Sequence, residues 1–144
     1  MNLLTALDVN ASGLTAQRRR VAVSSSNLAN SQTTRTEDGG PYRRKDVVFQ
    51  STSFANSLGI AMDSGVEGVA GVEVAQLVDD PRPFDRRYEP GHPDADKDGY
   101  VSYPNVNAME EMANLVEASQ SYDANIAAIG IVKTMINRTL DLGK

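Results

Sequence analysis

The sequence predicts an α+β fold in which long N- and C-terminal helices pair antiparallel as a coiled-coil-like axial domain, with a small β-rich insert between them. Three observations carry this. Alternating steps of three and four from Met112 meet Leu115, Ser119, Tyr122, Ile126, Ile129, Lys133, Ile136 and Leu140, a seven-residue period. A second run of the same kind opens the chain at Leu4, Leu7, Ala11, Leu14, Val21 and Leu28. Between the two, short β-branched or alternating segments are punctuated by Gly, Pro, Asn and Asp.

Residues 3–30 read as a helix whose Gly13 and Ser24-Ser25-Ser26 weaken it, the glycine by up to about 1 kcal/mol, so it needs a partner to stay folded. Charge points to that partner. Residues 1–36 hold Arg18, Arg19, Arg20 and Arg35 against Asp8, whereas residues 106–144 hold five acids against three bases. The helical pattern stops at Asn30, and Ser31 to Thr34 and Glu37 to Pro41 are turn chemistry. Tyr42 to Gln50 reads as a strand, and residues near 51–70 as a small-residue surface loop. Val72, Val74, Gln76 and Val78 alternate as in a half-buried strand closed by Asp79-Asp80-Pro81, with further strands at Arg86–Glu89 and Tyr100–Tyr103.

The last helix is announced by Asn107 with Glu110, a capping-box-like pair, and by Glu110 and Glu111 at the positive end of the dipole. Gly143 is placed to close it in the left-handed conformation. The organisation is therefore 1–34 axial helix, 35–104 insert and 105–144 axial helix. At 1.5 Å per residue the last helix is roughly 50 Å long, more than a chain of this size can cover with its own core. The seam residues Leu4, Leu7, Leu14, Val21, Leu28, Met112, Leu115, Tyr122, Ile126, Ile129, Ile136 and Leu140 are accordingly expected to meet neighbouring subunits.

Composition narrows the function. A net charge of -5 argues against a general nucleic-acid binder, and the absence of cysteine removes thiolate and disulfide chemistry. No basic region followed by an apolar core opens the chain, so a cleaved Sec-type signal is not expected, and no apolar run is long enough for membrane insertion. His92 is the only histidine, which leaves no His-based triad or multi-histidine zinc site. No catalytic residue, cofactor or metal ligand is assigned. Asp94, Asp96, Asp98 and Gly99 match the first half of a calcium loop, so a soluble calcium-binding helical module is the alternative. The second half fails: Asn105 stands where the bidentate glutamate belongs, and Glu89 to Pro93 cannot form the incoming helix. Arg18-Arg19-Arg20 and Arg43-Arg44-Lys45 read first as subunit salt bridges or a solvated face.

Several motifs in order carry a family resemblance. Ala11-Ser12-Gly13-Leu14-Thr15-Ala16-Gln17-Arg18 and Ser26-Asn27-Leu28-Ala29-Asn30 resemble the N-terminal signature of bacterial flagellar axial proteins of the rod and hook. Pro41 to Lys45, Val47 to Gln50, Tyr88 to Pro93, Gly99-Tyr100-Val101, Pro104 to Asn107, Glu111-Met112 and Ala118 to Asn125 narrow the resemblance to flagellar basal-body rod proteins. It implies a proximal-rod subunit without catalysis or cofactor, exported through the flagellar type III export apparatus and assembled in the periplasm with itself and neighbouring rod proteins. By propensity alone, Asn27 and Asn30 read equally as a helix stop or as a fixed exit for the insert. The resemblance favours the exit, in contact with neighbouring chains.

Overall fold

A computed structural model describes residues 3–53 and 70–143, without the side chains of Leu4 and Ser53. The loop expected near 51–70 lies outside the described residues over 54–69. The order is α1 (Leu3–Ala29), β1 (Lys45–Ser53), β2 (Ala70–Asp79), β3 (Asp85–Tyr88), β4 (Tyr100–Tyr103) and α2 (Ala108–Leu142). This is the α+β arrangement that the sequence predicts.

α1 and α2 run antiparallel. Gly13 faces Asn125, whose side-chain nitrogen would lie 3.2 Å from a Cβ at that position, so the missing side chain permits the close approach. Further along, Arg20 donates to the Glu117 carboxylate at 3.2 and 3.3 Å, and Asn27 donates to Glu111 Oε2 at 3.2 Å. The stripe of α2 turned to α1 is Glu111, Leu115, Ala118, Tyr122, Asn125, Ile129, Val132 and Ile136, all buried or half-buried. The predicted seam shares Leu115, Tyr122, Ile129 and Ile136 with this stripe. Its other half is displaced by one residue: Met112, Ile126 and Leu140 are 49%, 48% and 63% exposed. The register with the larger apolar side chains is not the one used, because α1 presents Gly13, Arg20, Ser24 and Asn27, which need small and polar partners at Ala118 and Asn125.

On α1, Leu7, Leu14, Val21 and Leu28 are half-buried, and Ala11 is exposed. Leu14, Val21 and Leu28 each follow a residue that touches α2 (Gly13, Arg20, Asn27), just as Met112 and Ile126 each follow Glu111 and Asn125. Antiparallel helices wind in opposite senses when viewed from one end, so one step of about 100° reaches the same side of the pair on both. The two predicted seams therefore share one side of the helix pair.

The other side of α1 carries the ribbon β1–β2. Lys45 pairs with Asp79 and Ser53 with Ala70, with a bulge between Val48 and Phe49. At its far end, Val72 N–H donates to Ser12 Oγ at 3.0 Å, and at its near end, Lys45 N–H donates to Asn27 Oδ1 at 3.0 Å. The helical span from Ser12 to Asn27, about 22 Å, matches the strand span from Val72 to Asp79, about 23 Å, so the ribbon lies along α1. It meets α1 through outward backbone groups of both strands, Lys45 on β1 and Val72 on β2. The expected half-buried strand is found only in part: Val74 is half-buried, while Val72, Leu77 and Val78 of β2, and Val48 of β1, are exposed. β1 also begins later than expected, because Tyr42, Arg43 and Arg44 are engaged elsewhere.

Strands β3 and β4 form a second two-stranded sheet around Val101, which is fully buried, with Tyr88 edge-on to Tyr100 at 5.3 Å. Gly99 has φ +82°, and a Cβ there would stand 2.9 Å from the Tyr88 ring, so the turn requires glycine. At the start of α2, Asn107 Oδ1 accepts Met109 N–H at 3.0 Å, while Glu110 pairs with Arg82 at 3.6 Å. Gly143 ends the helix at φ −91°, ψ 1°, not left-handed as expected, because its N–H reaches Leu140 O three residues back. Among the described residues, the buried apolar side chains are Ala16, Val101, Pro104 and Ala118, against the buried polar Ser24, Asn27, Arg44, Asp80 and Glu111. The interior is polar and small, and Met109, Met112, Val116, Ile126, Ile131, Met135 and Leu140 of α2 face outward.

Candidate functional site

Four elements meet at a buried polar junction: the end of α1, the start of β1, the end of β2 and the start of α2. The Asn27 amide, 1% exposed, is filled on every side. It donates to Lys45 O at 2.8 Å and Glu111 Oε2 at 3.2 Å, and it accepts from Lys45 N–H at 3.0 Å and the Tyr42 hydroxyl at 2.9 Å. Two donors and two acceptors use its full capacity, and its grip on both sides of the Lys45 peptide mimics a strand partner.

Glu111, wholly buried, accepts from Arg44 Nε at 2.8 Å. Arg44 Nη1 reaches Asp46 at 3.2 Å and Asp80 at 3.3 Å. Burial opposes the Arg44 charge, but the hydrogen bonds to Glu111 and Asp46 outweigh it, and its pKa lies above the ordinary value. Asn105 ties in the segment before α2, accepting Arg44 N–H at 2.9 Å and donating to Asp80 O at 3.3 Å. The hydrogen bond from the Arg82 side chain, with further help from its backbone N–H and against burial, holds Asp80 down to about 2 from 3.8.

A depressed carboxylate stabilises the fold above its unfolded pKa, and that contribution disappears as pH falls through the folded value. Asp80 should therefore remove about 2 kcal/mol of stability between about pH 4 and 2. Urea midpoints of the monomer across that range test this: Asp80→Asn should flatten the decline, and an unchanged slope in the variant would refute the assignment.

The two asparagines of the predicted exit separate in the structure. Asn27 is buried by this chain's own groups at the point where the insert leaves the helix pair. Asn30 donates to Ser26 O at 2.9 Å and accepts from Thr33 Oγ1 at 3.2 Å, both local to the helix end. Asn27→Leu should cost several kcal/mol, because the Lys45 peptide and Glu111 lose their partners in a buried site. Asn30→Leu should cost about 1 kcal/mol and leave swimming intact. Soft-agar motility with both variants separates them, and equal defects would refute this division.

The acidic turn is occupied by the chain's own donors. Asp96 Oδ1 accepts Asp98 N–H at 2.9 Å and Tyr100 N–H at 2.8 Å, and its Oδ2 accepts from Arg86 at 2.6 Å. Asp94 accepts from Thr34 at 2.8 Å and pairs with Arg35 at 2.6 Å. His92 Nδ1 accepts Asp94 N–H at 3.1 Å. The basic runs also resolve. Arg43 donates to Asp80 O at 2.9 Å and lies 4.3 Å over the Phe84 ring; Arg44 is the junction cation, and Arg20 bridges to α2. Sequence reasoning missed Arg44 and Glu111 as partners, and Ser12 as the ribbon's anchor. The signal for Ser12 and Asn27 was present, since both stand in the N-terminal signature.

On the side of the helix pair away from the ribbon, α2 presents Met112 and Ile126, flanked by Met109 at 75% and Val116 at 57% exposure. The Leu4 side chain lies outside the description, while Leu7, Leu14, Val21 and Leu28 border this face from α1. These residues form an apolar strip along the flank of α2 that the described elements of this chain leave uncovered.

Paired terminal helices, an insert clamped where it leaves them and an outward apolar strip define the architecture of a structural subunit. Residues 7–35 match the family model described as flagella basal body rod protein, and residues 97–142 match that of the flagellar basal body rod FlgEFG protein C-terminal. These segments contain most of α1, with Ser12 and Asn27, and β4 with α2. The chain is 43% identical over 144 residues to the flagellar basal-body rod protein FlgC of Yersinia enterocolitica, with all of both chains covered. It is 42% identical over 150 residues to that of Bacillus subtilis, again with full coverage, and 41% over 149 residues to that of Borreliella burgdorferi, covering 97% of each. The chain belongs to the FlgC family of flagellar basal-body rod proteins. It is a structural subunit of the rod in the bacterial flagellar basal body, not an enzyme.

Proposed function

We propose that this subunit sits in the proximal rod, with residues 1–34 and 105–144 in an inner helical tube and residues 35–104 outside it, and that it carries torque through interlocked helices. Assembly joins it to copies of itself and to neighbouring rod proteins, after passage through the flagellar export apparatus. The observation that carries this reading is the outward apolar strip of α2, in which Met112, Ile126 and Leu140 are about half or more exposed, while few apolar side chains are buried among the described residues. Leu7, Leu14, Val21 and Leu28 extend that contact surface, while Leu115, Tyr122, Ile129 and Ile136 hold α2 to α1 beneath it. Asn27 acts on the interface indirectly, by setting where the insert departs, while Asn30 closes the end of α1.

The chain has no cysteine, so a single introduced thiol reports cleanly. In isolated basal bodies, Ile126→Cys should cross-link to adjacent rod subunits with a short thiol-to-amine reagent, while Ala118→Cys, placed at a buried position, should not. Absence of any product from Ile126→Cys in assembled rods would sink the proposal.

A further inference from the structure

Two exposed lines remain after the α1–α2 pairing and the ribbon contacts are removed. On the outer edge of α2, Met109, Val116 and Asp123 recur every seven residues, the first two 75% and 57% exposed. On the outer edge of α1, Ala11, Arg18 and Ser25 recur in the same way, all exposed. Neither Arg18 nor its neighbour Arg19 pairs with an acid among the described residues, and Asp123 pairs with no base there.

We propose that these two edges dock on each other between copies of this chain, Arg18 of one copy meeting Asp123 of the next. This rests on the reading that the chain assembles through its helices. Copies stacked in one orientation set α1 of one antiparallel to α2 of its neighbour. The register that joins Arg18 to Asp123 then brings Ser25 against Val116 and Ala11 against Gly130, so opposite charges meet and the large side chain of α2 meets a small one of α1. Relative to the pairing within one copy, where Arg20 meets Glu117, this register is shifted by only about one helical turn. The two edges are different surfaces. Such a contact is heterologous: it leaves a free edge on each side and propagates into a ring or helix instead of closing as a dimer.

The test uses full-length chain in cells lacking the native copy. Arg18→Cys/Asp123→Cys places thiols on opposite edges of one copy, so oxidation should give dimers and longer ladders from isolated basal bodies, while each single variant stays monomeric. Arg18→Glu/Arg19→Glu should lower incorporation into rods by about tenfold or more, since like charges then face Asp123, and Asp123→Arg should restore it in that background. A double-cysteine variant that cross-links only to another protein, or a charge swap that fails to rescue although the purified variant melts like wild type, would overturn the contact. The Ile126→Cys cross-link separates the two levels: if it forms while the Arg18/Asp123 ladder does not, this contact fails and assembly through the helices stands.

Discussion

Glu111→Ala is expected to destabilise the folded chain by about 3–5 kcal/mol, a large share of the 5–15 kcal/mol that holds a domain of ordinary stability. The carboxylate is wholly buried, accepts from Arg44 Nε at 2.8 Å and from Asn27 Nδ2 at 3.2 Å, and joins α2 to both α1 and β1. Its removal leaves the Arg44 guanidinium, 8% exposed, with Asp46 and Asp80 as its remaining partners, and leaves one Asn27 donor unmet. Among the described residues, few buried apolar side chains are present to absorb such a loss. Glu111→Leu/Arg44→Met, which removes both charges and keeps volume, should recover much of the stability. Urea unfolding of the monomer for the two single variants and the double completes the cycle. A Glu111→Ala cost below about 1 kcal/mol would mean that the junction is not what binds the insert to the helix pair.

Ile126→Asp should abolish rod assembly while leaving the monomer's melting temperature within a few degrees of wild type. Ile126 is 48% exposed in the free chain, so its replacement disturbs little of the monomer. Buried against a neighbouring helix, the new carboxylate would lose its water and cost several kcal/mol at every copy. Ile129→Asp provides the contrast. Ile129 is half-buried on the stripe that faces α1, so a charge there should lower the melting temperature as well as assembly. Circular dichroism of the purified chains together with basal-body purification separates the two. Normal rods with Ile126→Asp would remove the apolar strip of α2 from the assembly surface.

The sequence by itself determined the elements and their class. The two heptad runs, the helix cap at Asn107 and the turn chemistry at Asp79 to Pro81 and around Gly99 each arise from interactions within a few residues, so they are legible without knowledge of the fold. Tertiary structure decided which face of each helix is used. A register one residue away differs by only 100° of rotation, and Met112, Ser119, Ile126 and Lys133 hold as many apolar residues as Glu111, Ala118, Asn125 and Val132, but larger ones. What overrules that difference in size is the partner surface: Gly13, Arg20 and Asn27 on α1 need a small or polar opposite, and nothing within α2's own sequence announces this. The junction was hidden for a similar reason. Arg44 and Glu111 are 67 positions apart, and each reads locally as an ordinary surface charge. Only the fold brings them together away from water, where the same charges change from solvated side chains into the clasp between insert and helices.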